Sequence, residues 1–360
     1  MKKILIVKLS SLGDVVQSLR CALYLKEQFR EVEVDWVVQE PSRFLLESFS
    51  CVDNVIVCDI NEWKKNKFCK NTYKKINLFL HELRRKEYDA VFDLQGNCKS
   101  AFVTFFAKSS NKIGFSKKNV REWPNILVTN RKFSINEKQN MRLQYLSLLE
   151  QYFNKKALSL SRPLKFIRQK DAEDRVNALM KDSNLQNPLK IMVCPNSKWK
   201  NKQLSYEKLL IFLKHIKNNL NPSFLFIHGN EKEEKIAIEL QKQFSSSSIV
   251  VPRLKIDIWH CLMEKMNLII SMDSCALHLA GSVSIPTYSI FGPTKAKIFK
   301  PIGKTCGFYQ IECPHNITFD KCCPRLRKCE TRSCMDQIDV EDLISNFSSW
   351  WDKNFSLVKI

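Results

Sequence analysis

The chain has 360 residues, with 58 Lys and Arg against 37 Asp and Glu and a formal net charge of +21. That length predicts two domains, each able to bury a core of its own. With 44% apolar residues, 23 Phe, 8 Gly and 12 Pro, the composition excludes collagen-like, low-complexity and disordered chains.

The amino terminus starts basic, but its apolar run Ile4-Leu5-Ile6-Val7 stops at Lys8, too short for the core of an export signal. No later apolar run approaches the ~18 residues that span a bilayer. A cytoplasmic location is expected, which keeps the 14 cysteines mostly as thiols.

Residues 3–7 read as a buried strand, and 34–38, 55–58 and 90–94 follow it. Between the first two, residues 15–29 place Val15, Val16, Leu19, Leu23 and Tyr24 on one helical face. Residues 61–132 carry 17 Lys and Arg against 6 Asp and Glu, in bursts such as Lys64-Lys65, Lys67, Lys70, Lys74-Lys75, Arg84-Arg85-Lys86 and Lys117-Lys118. Such a region attracts polyanions, unless it is simply a solvated basic face. After Asn187-Pro188 the rhythm restarts. Strands are expected at 191–194, 224–227, 249–251, 268–271 and 287–291, with helices near 206–217, 233–244 and 275–280. Residues 336–351 read as a final helix. Strands alternating with helices of this length predict parallel sheets, hence two doubly wound α/β domains. The boundaries are placed at 1–175 for the first, 185–335 for the second and 336–360 for a terminal helix and tail.

Three loops that follow strands hold groups able to do chemistry. The first is Lys8-Leu9-Ser10-Ser11-Leu12-Gly13-Asp14, where Gly13 permits a tight turn or a close approach of substrate and Asp14 stands at a helix start. A carboxylate there caps N–H groups and complements the helix dipole, the commoner role for an acid at a helix start. A dinucleotide G-x-G-x-x-G pattern is absent. The second is Asp273-Ser274-Cys275-Ala276-Leu277-His278, a strand end opening a helix whose first N–H groups suit a phosphate. Taken alone, His278 on that apolar helix also fits a core histidine. The third, Cys194 to Lys202, collects hydroxyl, amide and ammonium donors from Ser197, Asn196, Asn201 and several lysines, either for an anion or as a solvated basic loop.

The segment Ile6 to Val15 resembles the opening of the lipopolysaccharide heptosyltransferases of glycosyltransferase family 9. Asp35-Trp36-Val37-Val38-Gln39-Glu40 resembles the second-strand motif of the heptosyltransferase I type. Tyr88-Asp89-Ala90-Val91-Phe92-Asp93-Leu94-Gln95-Gly96, followed by Lys99-Ser100, resembles another block of that type. Asp273-Ser274, His278 and Phe291-Gly292-Pro293-Thr294 resemble the family's nucleotide-sugar motifs.

The resemblance implies a GT-B fold, two Rossmann-like doubly wound domains facing a central cleft. It implies inverting transfer of a heptose from ADP-heptose to a Kdo sugar of the lipid A inner core. Asp14 then matches the general base; if Asp14 is only a cap, Asp93 and Glu40, at the ends of other strands of the same domain, are the next candidates. Ser10, Ser11, Gly13, Gln95 and Gly96 fall on the acceptor side. Ser197, Lys202, Asp273, Ser274, Cys275 and His278 fall on the donor side. Lys202 is then a cation near the donor phosphates, whose removal leaves the unliganded fold nearly unchanged. No metal and no cofactor are implied, since lysine and helix amides hold the diphosphate. The expected setting is the inner face of the cytoplasmic membrane, with an anionic glycolipid acceptor, an anionic membrane surface and no nucleic acid as partners. Alternatives are a family 9 transferase with another donor or acceptor, and a non-catalytic polyanion-binding homologue.

Two departures stand out. Cys275 occupies a position where the family usually has Gly. Cys322-Cys323-Pro324, Cys329 and Cys334-Met335 resemble a carboxyl-terminal segment of the heptosyltransferase II type. A structural zinc site from Cys313, Cys322 or Cys323, Cys329 and Cys334 lacks the usual paired spacing, and buried thiols packing a loop fit that spacing better.

Overall fold

The structure, a computed structural model, describes residues 2–66, 69–158, 163–167, 170–326, 328–329 and 333–355. Lys67 of the basic run and residues 356–360 of the expected tail lie outside the described residues. Two compact units divide the chain, Met1–Ile167 and Arg168–Ile360. The division falls ahead of the 175–185 placed from sequence, because helix Lys170–Met180 packs on helix Ile256–Glu264 of the second unit.

The first unit holds β1 (Lys3–Val7), β2 (Glu33–Val38), β3 (Asn54–Val57), β4 (Ala90–Asp93), β5 (Lys112–Phe115) and β6 (Arg131–Phe133). They form one sheet in the order β3-β2-β1-β4-β5-β6, every neighbouring pair parallel. The second unit holds β7 (Lys190–Cys194), β8 (Ser223–Phe226), β9 (Ser248–Val250), β10 (Leu268–Met272), β11 (Thr287–Phe291) and β12 (Cys306–Gln310). Its order is β12-β11-β10-β7-β8-β9, again all parallel. Counted from its own first strand, each sheet has the same doubly wound order. The winding reverses between β1 and β4 in one unit and between β7 and β10 in the other. Ligands of open α/β sheets bind outside the carboxyl ends of the strands at such reversals.

The cores follow from the strand runs. Leu5, Val7, Val37, Val91 and Ile56 meet Trp63, Phe79, Leu83 and Val103 of the covering helices in the first unit. Ile191, Val193, Phe224, Phe226, Leu268 and Ile270 meet Phe212, Leu213, Ile216 and Phe347 in the second. Each such side chain removed from water contributes ~1.5–3 kcal/mol. Helix Val340–Phe355 packs on helix Tyr206–Leu220 and on β12, so it completes this core. At Gly307 the Trp350 ring lies 2.6 Å from where a Cβ would stand, which admits only glycine in β12 there.

Asp35 and Tyr88-Asp89, at the starts of two of the motifs read from sequence, have structural roles. Asp35 is buried, and its carboxylate accepts from Asn54 Nδ2, Lys86 Nζ and Tyr88 Oη, each at 2.8 Å. Asp89 Oδ2 accepts the backbone N–H groups of Lys2 (2.6 Å) and Lys3 (3.0 Å). Both sit toward the amino ends of the strands, opposite the ligand-binding edge. Among the described residues no helix is long and apolar enough to cross a membrane.

Candidate active site

Parallel register brings Val7 of β1 beside Asp93 of β4, so the loops after them emerge together. The Ser10 N–H donates to Gln95 Oε1 at 3.3 Å, which ties two acceptor-side residues chosen from sequence. Gly96 has φ +68°, a left-handed backbone that glycine adopts without cost, and Phe115 stands 3.0 Å from where its Cβ would be. Asp93 is fully buried. Its Oδ1 accepts Gln95 N–H (3.0 Å) and Gly96 N–H (2.9 Å), and its Oδ2 accepts Thr104 Oγ1 (3.0 Å) and Asn125 Nδ2 (2.6 Å). A carboxylate so fully engaged builds the loop and is not placed to receive a proton from a ligand. That removes Asp93 as the next candidate base; Glu40 is exposed at the start of a short 3₁₀ turn.

Helix Leu12–Gln28 begins three residues earlier than its apolar face alone predicts. Gly13 therefore lies in its first turn, not in a tight loop, and Asp14 is its third residue. Asp14 Oδ2 accepts from Ser11 N–H (3.3 Å) and from Ser11 Oγ (2.9 Å). Beneath this loop Lys8 is buried, donating to Leu94 O (3.3 Å) and Tyr145 Oη (2.9 Å), with its ammonium 4.5 Å from the centre of the Tyr145 ring. Burial first, and the Asp14 charge second, push the Tyr145 phenol well above its ordinary range, so it stays neutral.

In the second unit Ser271 of β10 pairs with Cys194 of β7, and the two following loops meet. Asp273 is buried there, and its Oδ2 lies 2.6 Å from Lys202 Nζ and accepts from Thr294 Oγ1 at 2.6 Å. His278 Nε2 lies 3.7 Å from its Oδ1. Burial alone would raise the Asp273 carboxyl, but Lys202, His278 and the Thr294 hydroxyl outweigh it and hold it below its ordinary value. Ser197 Oγ donates to Asp273 O at 3.0 Å. Cys275 opens helix Cys275–Ala280, and burial pushes its thiol up to about 12. A neutral thiol is what an anion can tolerate beside these N–H groups. Next to Ser197, Asn196 Nδ2 is a buried donor with no hydrogen-bond partner among the described residues, as a ligand oxygen would require.

All six donor-side residues thus come together around the β7/β10 reversal. Thr294 lies in the Phe-Gly-Pro-Thr block read from sequence, and Lys8 and Asn196 lie in the loops read after β1 and β7. Thr104, Asn125 and Tyr145 were not singled out from sequence and are revealed only by long-range contacts.

The cysteine segment braces the donor loops. Lys295 N–H donates to Lys321 O (3.0 Å), and Cys323 N–H to Pro293 O (2.8 Å), on either side of Thr294. Asn201 Nδ2 donates to Leu326 O at 2.7 Å, beside Lys202. Cys313, Cys323, Cys329 and Cys334 line a cavity of about 280 Å³. Burial, reinforced by Cys313 and Cys329 against the Met335 N–H, pushes Cys334 up to about 11. Among the described residues no three His, Cys, Asp or Glu side chains are arranged to hold a metal ion.

The sequence pattern of Glycosyltransferase family 9 (heptosyltransferase) matches residues 76–328. Lipopolysaccharide heptosyltransferase 1 of Campylobacter coli is 28% identical over 350 residues, 95% of this chain and 97% of that protein. The E. coli heptosyltransferase WaaC with ADP superposes with a TM-score of 0.77 at 21% identity, over 97% of this chain and 99% of that one. E. coli ADP-heptose LPS heptosyltransferase II gives 0.69 at 18% identity, over 98% and 99%.

Proposed function

The chain belongs to glycosyltransferase family 9, and from that premise we propose that it transfers a heptose from ADP-heptose to a Kdo sugar of the lipid A inner core. The observation that carries this reading is the convergence of Ser197, Lys202, Asp273, Ser274, Cys275, His278 and Thr294 at the switch point of the second sheet. The donor belongs to this unit and the acceptor to the loops after β1 and β4.

The reaction inverts the anomeric centre. Asp14 takes the proton of the attacking acceptor hydroxyl, a role that contributes ~10²–10⁴-fold to rate. Ser11 holds its carboxylate by two hydrogen bonds. Lys202 and the N–H groups of Ser274 and Cys275 meet the charge that develops on the departing diphosphate. Asp273 keeps the Lys202 ammonium in place, and Thr294 keeps Asp273 in place. Lysine and backbone donors suffice for this, with no metal ion. Exposed lysines of the 61–132 region, among them Lys64, Lys65, Lys74 and Lys75, meet the acceptor phosphates and anionic headgroups at the inner face of the cytoplasmic membrane.

A thermal-shift titration with ADP-sugars tests the donor half, since a ligand at a hundred times its Kd stabilises by ~2.7 kcal/mol. ADP-heptose is expected to raise Tm equally with and without EDTA, and labelled heptose to appear on Kdo-lipid A. Stabilisation by a different nucleotide sugar alone would reassign the donor. Stabilisation that disappears in EDTA would overturn the metal-free scheme.

A further inference from the structure

Three large apolar side chains of the first unit, on a helix and a turn that contact each other, are exposed: Phe105 (60%), Trp123 (66%) and Leu127 (76%). Single exposed hydrophobics are ordinary, so the question is what surrounds these. Trp123 and Leu127 end a 3₁₀ turn, Trp123–Leu127, that packs against helix Cys98–Phe106, which carries Phe105. The carbonyl of Phe105 accepts Lys112 Nζ at 2.8 Å, and the carbonyl of Lys112 accepts Asn130 N–H at 2.9 Å, three residues beyond Leu127. The apolar residues therefore share one neighbourhood.

The segment that carries the turn is basic. Between 108 and 133 stand Lys108, Lys112, Lys117, Lys118, Arg121, Arg131 and Lys132, against a single acid, Glu122. Glu122 is already engaged, its Oε2 accepting Cys98 N–H at 2.8 Å. The turn is also firmly held. Asn125 is fully buried and its Nδ2 donates to Asp93 Oδ2 (2.6 Å), Ser100 Oγ (3.2 Å) and Asn97 O (3.3 Å). Trp123 and Leu127 are thus exposed from an anchored turn, which removes the cost of ordering its backbone on binding.

We infer that this face is a membrane-docking surface: Trp123, Leu127 and Phe105 enter the headgroup–acyl boundary of an anionic bilayer while the lysines and arginines around them meet lipid phosphates. Tryptophan and leucine ringed by basic side chains match what an anionic lipid interface binds. Glu122 N–H donates to Gly96 O at 3.0 Å, so the turn is joined directly to the Gln95-Gly96 loop. Docking would bring the lipid surface to the acceptor loop, a point that rests on the glycolipid acceptor proposed above.

The test measures partitioning onto vesicles of phosphatidylethanolamine and phosphatidylglycerol, with no donor or acceptor present. Trp123→Ser/Leu127→Ser is expected to lower partitioning by about tenfold, with Tm, ADP-induced stabilisation and salt dependence unchanged. Lys117→Glu/Lys118→Glu/Arg121→Glu is expected to lower both partitioning and its salt dependence. Brominated lipid should quench the parent protein more than Trp123→Phe. Partitioning within twofold of the parent for both multiple variants overturns the proposal. So does self-association that the serine variant abolishes while vesicle binding persists, which would make the face a contact between copies. Heptose transfer to a deacylated, water-soluble acceptor is read separately, so loss of the functional reading and loss of the docking surface are distinguishable.

Discussion

Ser11 donates both its N–H and its hydroxyl to one oxygen of Asp14, three residues on, in the first turn of the helix that follows β1. Asp14 therefore completes a helix start as well as standing where a base is needed. The two roles separate in Asp14→Asn, because an amide oxygen still accepts from Ser11 but cannot take a proton from the acceptor. Turnover is expected to fall at least ~100-fold, with Tm and ADP-sugar stabilisation near those of the parent. Asp14→Ala should lose ~0.5–2 kcal/mol of stability in addition. An Asn variant that keeps most of its turnover would leave Asp14 only its place in the helix start.

From sequence, removal of Lys202 is expected to leave the unliganded melting temperature nearly unchanged, and the ion pair it makes leads to a different prediction. Lys202 is the counter-ion of a buried carboxylate, and Lys202→Met should cost the unliganded protein ~3–5 kcal/mol, toward the lower end because Thr294 still donates to Asp273. The sign with pH follows from the lowered Asp273 carboxyl. That group stabilises the parent above its unfolded pKa of ~3.9 and loses the contribution as pH falls through the lower folded value. The gap in Tm between parent and variant should be widest near neutrality and close below about pH 4. A pH-independent gap would show that the pair is not what the substitution breaks.

Asn125→Asp places a second carboxylate 2.6 Å from where Asp93 Oδ2 now accepts an N–H. One of the two must then hold a proton in the folded state, with its pKa raised. The penalty is full at neutral pH and fades as pH falls toward the unfolded carboxyl pKa of ~3.9. Chemical denaturation at pH 7 and pH 5 should show the variant gaining on the parent at the lower pH, and an equal deficit at both would refute the like-charge account.

Thiol labelling should follow burial. Iodoacetamide at mildly alkaline pH is expected to reach exposed Cys69 first, then Cys98, whose thiol Glu122 pushes up. Cys51, Cys58 and Cys275, each raised to about 12 by burial, should label roughly a thousandfold more slowly. Peptide mass spectrometry over time reads the order, and Cys275 reacting as fast as Cys69 would mean a thiolate sits at the donor helix.

Much of the fold was legible in the chain because fully buried parallel strands are short continuous apolar runs. Residues 3–7, 34–38, 90–94, 191–194, 268–271 and 287–291 all coincide with strands within a residue or two. β5, β6 and β12 were not predicted. β5 contains Gly114, β6 is Arg-Lys-Phe, and β12 contains Gly307, so none shows an apolar run. They become strands because a neighbour offers a free edge, with Val91 pairing Lys112 and Thr287 pairing Cys306.

The site divides in the same way. Local sequence marked the loops that hold Asp14, Ser197, Lys202, Asp273, Ser274, Cys275 and His278, since each follows a readable strand and loops at those ends carry ligands; the roles assigned to these residues came from the family resemblance. What each side chain does with its neighbours was decided by tertiary structure alone. Asp93 and Asp273 both end strands as acids in similar motifs. Only the fold gives Asp93 four donors and closes it off, while it gives Asp273 a lysine 71 residues away in sequence. Local sequence determines which backbone a residue adopts, through periodicity and turn chemistry. The partner of a buried charge is set by which distant strands the sheet order brings side by side.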